Sequence, residues 1–261
     1  MKNIIVCVKV VPKSDNIIFD PVNKRLDRTK AENQINAADK SAIETALRIR
    51  ERVGGKITLL SMGPPFFEPF LKLGIAMGVD EAILLSDRNF GGADTFPTAL
   101  VLATAIKKIG NVDLVLTGEE SSDAGLGQVP SQIAEFLDFP QVLFASTTDI
   151  SGGKLIARRS IKGGYEILES DLPAVVSVVL GAYQPRFPDF KKKKWADNNY
   201  KVKVWNGEDL QLSESVTGIK GSFTTVKRLV EIPQSSRKKI IIDGTPEEKS
   251  SKLVEILRKA K

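Results

Sequence analysis

The sequence predicts an α/β fold: an open parallel sheet with helices on both faces, a β-hairpin, and an extended C-terminal arm ending in a helix. Three observations carry this. From Lys2 to Val142, short β-branched runs alternate about four times with longer stretches of helical periodicity, the pattern of a parallel sheet covered on both sides. After Ser146 the pattern changes to period-two strands punctuated by the glycine turns SGG and KGG. The 261 residues, 42% hydrophobic and 27% charged, are enough for a sizeable core in one or two domains.

The expected strands are NIIVCVKV (Asn3 to Val10), KITLLSM (Lys56 to Met62), EAILLSD (Glu81 to Asp87), VDLVLT (Val112 to Thr117) and QVLFAS (Gln141 to Ser146). Between them lie the helical patterns DKSAIETALRIRERVG, FFEPFLKLGIAMG, ADTFPTALVLATAIKKIG and GQVPSQIAEFLDF. Ser41 with Glu44 reads as a capping box, and Asp94 as the cap of a helix with Pro97 in its first turn. Gly54, Gly78 and Gly110 read as stops. Beyond the hairpin, PAVVSVVL (Pro173 to Leu180) reads as a buried strand, and SGGK as a plain turn because it joins two strands. After Gly181 the chain shows little periodicity and reads as a long irregular arm, of the kind that is often functional. It ends in a strand-like KKIII and a helix in which Thr245 caps, Pro246 takes the first position and Glu248 completes the box. Leu253, Ile256 and Leu257 share one face of that helix, suited to docking on this chain or another.

Composition excludes several classes. Histidine is absent, which removes His-based triads and zinc hydrolase chemistry, and no side chain stands out as a catalytic acid, base or nucleophile. Cys7 is the one cysteine and sits in an apolar run, so neither an intrachain disulfide nor a thiolate metal cluster is expected, and its thiol reads as buried and inert. The apolar runs are too short for membrane insertion, and MKNIIVCVKVVP turns polar too early for a signal peptide, so the chain is expected to be cytoplasmic. The net charge of +6 concentrates in KKKKW, SRKK and LRKAK. No RRM, KH or helix-turn-helix signature accompanies it, so a solvated tail or a surface for an acidic protein is expected rather than a nucleic-acid site.

In an open parallel sheet, ligands bind beyond the carboxyl ends of the strands. The loops there are KVVPKSD, GPP, SDRNFGGADT and GEESSDAGLGQ, and the last two are glycine-rich and run into helices. Free backbone N–H groups and the positive end of the helix dipole suit such loops to phosphate. Helix caps and tight turns use the same residues, and neither loop matches GxGxxG or the Walker pattern. Glu119, Glu120 and Asp123 would repel phosphate unless their side chains point away.

Taken in order, IIVCVKVVP, INAADKSAIETALRI, VGGKITLLSMGPP, LGIAMGVDEAILLSD, DLVLTGEESSDAGLGQVPSQIAEFL, RRSIKGGYEILESDLPAVVSV and QPRFPDF resemble the beta subunit of electron transfer flavoproteins, with the likeness running from Met1 through the C-terminal helix. The resemblance implies a fold like that of the adenine-nucleotide alpha hydrolases and a heterodimer with an FAD-carrying alpha subunit. It implies electron relay between dehydrogenases and an acceptor. It implies a nucleotide in the beta subunit, AMP in ordinary members and a second FAD in electron-bifurcating ones. Carried over by motif, the contacts are Val8, Lys9, Val10, Val11, Asn36, Met62, Gly63, Gly92, Ala93, Asp94, Thr95, Asp123, Ala124, Gly125, Leu126, Gly127, Gln128 and Val129. Residues 1–185 would then be the nucleotide-binding domain, and 186–261 a recognition loop and an arm whose helix docks on the partner.

SDRNFGGADT is similar to a phrase that bifurcating members use beside FAD. Those members usually read AIDGDTAQVGP where this chain reads SSDAGLGQVPS, with Gly125 and Leu126 in place of Asp-Thr, and Ile35-Asn36 lacks the usual Pro-Tyr after it. The balance favours FAD over AMP. The resemblance also places a dehydrogenase-anchoring apolar residue near Phe190, with Trp195 beside it, although KKKKWADNN departs from the usual run; packing beneath the arm is the other reading of these aromatics. A stand-alone nucleotide-binding regulator of the universal-stress type is the alternative for the whole chain, and it leaves the arm without a purpose.

Overall fold

The computed structural model describes residues 2–13, 18–20, 25–27, 32–225, 227 and 241–259. The chain divides into two units, Met1–Val226 and Lys227–Lys261.

In the first unit, Lys2–Cys7 (β1) is followed by the short strands Val10–Pro12 (β2), Ile18–Asp20 (β3), Arg25–Asp27 (β4) and Asn33–Ile35 (β5), then by helix Ala37–Val53 (α1). Gly55–Met62 (β6), Glu68–Met77 (α2), Glu81–Leu85 (β7), Thr95–Ile109 (α3), Leu114–Gly118 (β8) and Val129–Leu137 (α4) complete the alternating half. Gln141–Ser151 (β9), Lys154–Ile161 (β10), Gly164–Ser170 (β11) and Ala174–Val178 (β12) come next. Phe190–Asn199 (α5), Lys203–Trp205 (β13) and Gly218–Gly221 (α6) close the unit, and Pro246–Lys259 (α7) lies in the second.

Nine strands form one sheet in the order β11-β10-β9-β12-β8-β1-β6-β7-β13, parallel except where β10 pairs with β9 and β11. The predicted α/β architecture is therefore present. Successive β1 residues alternate between two cores, as a strand buried on both faces must. Ile4 and Val6 pack with Ala42, Ile43 and Leu47 of α1 and Leu71 and Ile75 of α2. Ile5 and Cys7 pack with Ala99, Leu102 and Ile106 of α3 and Ile133 and Leu137 of α4. Burial raises the Cys7 thiol far above its ordinary range, in keeping with an inert core sulfur.

Asp94 caps α3 by accepting from the Phe96 N–H at 3.0 Å, and Gly54, Gly78 and Gly110 stop α1, α2 and α3. In α7 the Thr245 N–H donates to Glu248 Oε2 at 2.9 Å and the Glu248 N–H to Thr245 Oγ1 at 3.4 Å, the expected box.

Four local expectations need correction. The first strand ends at Cys7, because Lys9 turns its N–H to the Asp39 carboxylate and Val10 leaves to pair with Ile35. Ser41 and Glu44 do not begin a helix: α1 starts at Ala37, and both lie buried within it. Gln141 to Ser146 is the first half of an eleven-residue strand that pairs in parallel with β12 and antiparallel with β10. The stretch after Gly181 is not irregular throughout, since KKKKWADNN is helix α5 and β13 adds a strand to the sheet edge. Its low apolar periodicity reflects one buried position, Ala196, in a helix otherwise turned to solvent. Most of KKIII lies outside the described residues.

Glu44 anchors this later segment. Arg186 donates to it three times, N–H to Oε2 at 3.2 Å, Nε to Oε2 at 2.8 Å and Nη2 to Oε1 at 3.0 Å, and reaches Glu51 at 2.6 Å. Burial raises the Glu44 carboxyl, but its bonds from Arg186 and Arg48 hold it below its ordinary value of 4.5. Removing the guanidinium would strand a buried charge. We therefore expect Arg186→Ala to cost about 2 kcal/mol in chemical denaturation, at the low end because Arg186 is one-third exposed. The wild-type contribution should be present above pH 4.5 and fade as pH falls below it, so the two curves should converge in acid.

Candidate functional site

Strand order reverses at β1, which has β6 and then β7 on one side and β8 on the other. Beyond the carboxyl ends of β1 and β8 opens a cavity of about 590 Å³, where an open α/β sheet holds its ligand. Val8, Lys9 and Val10 line it from the turn between β1 and β2, Met62 and Gly63 from the end of β6, Gly92, Ala93, Asp94 and Thr95 from the loop into α3, and Asp123, Ala124, Leu126, Gly127, Gln128 and Val129 from the loop into α4. Three candidates stand back from it. Val11 is fully buried in the β2–β5 ribbon, Gly125 shapes the loop with φ 62°, and Asn36 braces that loop from behind. The Asn36 amide donates to Glu120 O at 2.7 Å and its carbonyl accepts from the Ser122 N–H at 3.2 Å.

Asp39 escaped the sequence reading, and it organises the site. Its carboxylate accepts from Lys9 N–H at 2.7 Å, Gly118 N–H at 3.0 Å and Asn36 Nδ2 at 3.1 Å, joining the ends of β1 and β8 to the start of α1. A signal was present: Asp39 shares the buried face of α1 with Ala42, Ile43 and Ala46, so a carboxylate interrupts an apolar stripe. Burial pushes Asp39 from 3.8 up to about 7, against the pull of its three donors. Phe67, Thr98 and Leu102 also line the cavity and were not foreseen, because they come from elements whose own patterns read as packing; Phe90 lines it from the SDRNFGGADT loop, of which only the last four residues were named as contacts.

Two of the three acidic side chains of the loop, Asp123 and Glu119, are engaged by protein donors, while Glu120 lines the cavity with them. Lys9 Nζ donates to Asp123 Oδ1 at 2.6 Å and to Ser121 Oγ at 3.1 Å. Glu119 directs Oε1 at the Leu180 N–H, 2.7 Å away, and Glu120 is exposed. Meanwhile, among the described residues, no side chain caps α4, and its first turn carries Pro130. Among the described residues, backbone acceptors satisfy the loop amides of Ala124 and Gly125 but none is present for Leu126, Gly127, Gln128 or Val129. A nine-residue helix thus presents an uncapped positive end to the cavity, after two glycines in the left-handed region. This donor set fits the phosphate of a nucleotide. The N-terminus of α3 differs, because Asp94 already occupies it.

Phe190 and Trp195 lie apart from the cavity on α5, 79% and 52% exposed, with Phe187 at 90% beside them. Trp195 meets Tyr200 at 6.1 Å, so it is partly packed, whereas the Phe190 ring is largely in solvent. Among the described residues, no cluster of acidic, Cys or His side chains could hold a metal, and no helix is long and apolar enough to cross a membrane.

The chain is an open α/β protein whose mostly parallel sheet has an uncapped helix end beside its switch point. A family model described as "Electron transfer flavoprotein domain" matches residues 24–209. The chain is 42% identical over 255 residues to the electron transfer flavoprotein subunit beta of Thermoanaerobacterium thermosaccharolyticum, covering 98% of this chain and 97% of the relative. It is 37% identical to the caffeyl-CoA reductase-Etf complex subunit CarD of Acetobacterium woodii, with 98% and 97% covered, and 35% identical to the protein FixA of Sinorhizobium fredii, with 92% and 87% covered. The chain belongs to the electron transfer flavoprotein family, on the beta-subunit side, and serves electron transport within a flavin-containing heterodimer.

Two outcomes test the Asp39 knot. A Cβ at Gly118 would collide with Asp39 Oδ1 and Ala38, so Gly118→Ala should lower stability by about 2 kcal/mol in denaturant titration. Because Asp39 binds its proton more tightly folded than unfolded, its contribution is full below 3.8 and declines as pH rises toward about 7. The stability difference between wild type and Asp39→Asn should therefore shrink across that window.

Proposed function

We propose that this chain is the nucleotide-holding subunit of a two-chain electron carrier, with an FAD-bearing alpha-type partner, and that its own cavity holds an adenine nucleotide, FAD in preference to AMP. The observation that carries the reading is the uncapped start of α4, where Leu126 to Val129 line the cavity and their amides find no acceptor among the described residues. These amides would take a phosphate, Gly125 and Gly127 would permit close backbone approach, and the Lys9–Asp123 pair would keep the carboxylate from opposing the anion. The preference for FAD rests on the extent of the cavity, which runs past the phosphate loop to Phe90, Gly92 and Met62, giving a nucleotide room beyond its adenylate half. Flavin supplies one- and two-electron chemistry when bound; the chain supplies position, exclusion of water and electrostatics.

With a flavin in each subunit the assembly would suit electron bifurcation, as the resemblance of the SDRNFGGADT loop suggests. Helix α5 would be the surface that meets a dehydrogenase, with Phe190 as an apolar anchor ringed by Lys191 to Lys194.

The chain copurified with its alpha-type partner and then denatured should release two FAD per heterodimer; one FAD with one AMP would overturn the FAD assignment, and one FAD with no second nucleotide would overturn the cavity assignment. Phe190→Ala should raise KM for the partner dehydrogenase by roughly tenfold in steady-state assays while leaving nucleotide content intact.

A further inference from the structure

The loop from Ser86 to Thr95 carries Gly92 and Asp94, and both are occupied by a later part of the chain. Asp94 Oδ1 takes the Phe96 N–H, while Oδ2 accepts from both the Thr224 N–H and Thr224 Oγ1 at 2.9 Å. The Asp94 N–H in turn donates to Ser222 Oγ at 2.9 Å, and that hydroxyl donates to Gly218 O at 2.8 Å. Ile219 fills the space that a Cβ on Gly92 would need, and a Cβ on Gly218 would strike Asn89 O. Phe223 sets its ring edge on Phe96 at 4.7 Å, and Phe96 meets Phe136 of α4 at 5.3 Å.

We propose that Asp94 and Gly92 form a seat for residues 217–225, making Asp94 a positioning residue that fixes the root of the C-terminal arm to the rim of the cavity. Residues 217–225 are the last stretch of the first unit, which ends at Val226. A carboxylate with both oxygens engaged by protein donors holds the strap through bonds stronger than neutral ones, and it has little left to offer a ligand. The two glycines are required by the close approach of the strap rather than by a phosphate. The inference stands on this geometry alone and holds whichever nucleotide the cavity takes.

Hydrogen exchange read by mass spectrometry on the chain in complex with its alpha-type partner tests it, with bound nucleotide quantified in the same samples. In Thr224→Val and Asp94→Asn, amides 222–225 should exchange about tenfold faster, since each change breaks a bond to the carboxylate. Thr224→Ser keeps the hydroxyl and should restore protection, which general destabilisation would not predict. Nucleotide content should be unchanged in Thr224→Val. Unchanged exchange at 222–225 in Thr224→Val, or loss of nucleotide in Asp94→Asn with the strap still protected, would overturn the proposal. Thr224 is exposed, so the Val and Ser variants fold even where Asp94→Asn does not.

Discussion

One buried carboxylate holds the crevice open in a fixed shape. Where β1 and β8 part company at the switch point, the N–H groups of Lys9 and Gly118 lie beyond the last pair of the two strands, Val6 with Leu116. A buried donor without an acceptor is costly, and Asp39 supplies an acceptor to both from the first turn of α1. The same residue fixes Asn36, which carries the brace onward to the loop before α4. The glycine at 118 follows from this arrangement, because the carboxylate and Ala38 take the space a side chain would use. The charge is desolvated, and the cost appears as its raised affinity for a proton.

The loop before α4 sorts its acidic charges. Asp123 turns inward to Lys9, which leaves the end of β1 at the right height to meet it, and Glu119 turns outward to the chain after β12. The start of α4 then brings its uncapped end to the cavity beside these side chains. Two helix ends at the cavity are therefore unequal: α3 is satisfied by its own aspartate, and α4 has no side-chain cap among the described residues.

Much of this was legible in the sequence, and the gaps have physical causes. Hydrophobic period and glycine stops placed the parallel strands and the helices between them, because burial on both faces leaves a strong pattern. Asp94 and the Thr245–Glu248 box were legible because caps act within one turn. Ser41 and Glu44 misled for the same reason: they have the spacing of a box, but their partners, Gly181 and Arg186, lie about 140 residues away. Asn36 was expected in the site and acts one layer behind it, while Asp39, whose partners are backbone groups on other strands, left only an interrupted apolar stripe as its trace. Helix α5 was unreadable because a helix with one buried residue has almost no amphipathic signal. The loop at Gly92 and Asp94 was read through family likeness, and its neighbours in space are a strap some 130 residues distant.

The central claim is that the bare amides at the start of α4 hold the nucleotide phosphate. The direct measurement is amide hydrogen exchange on the heterodimer stripped of nucleotide and then reloaded with FAD or AMP. Protection gained at residues 126–129 on reloading, with little change at 94–96 where α3 is already capped, is the result this account predicts. Protection at 94–96 with none at 126–129 would contradict it.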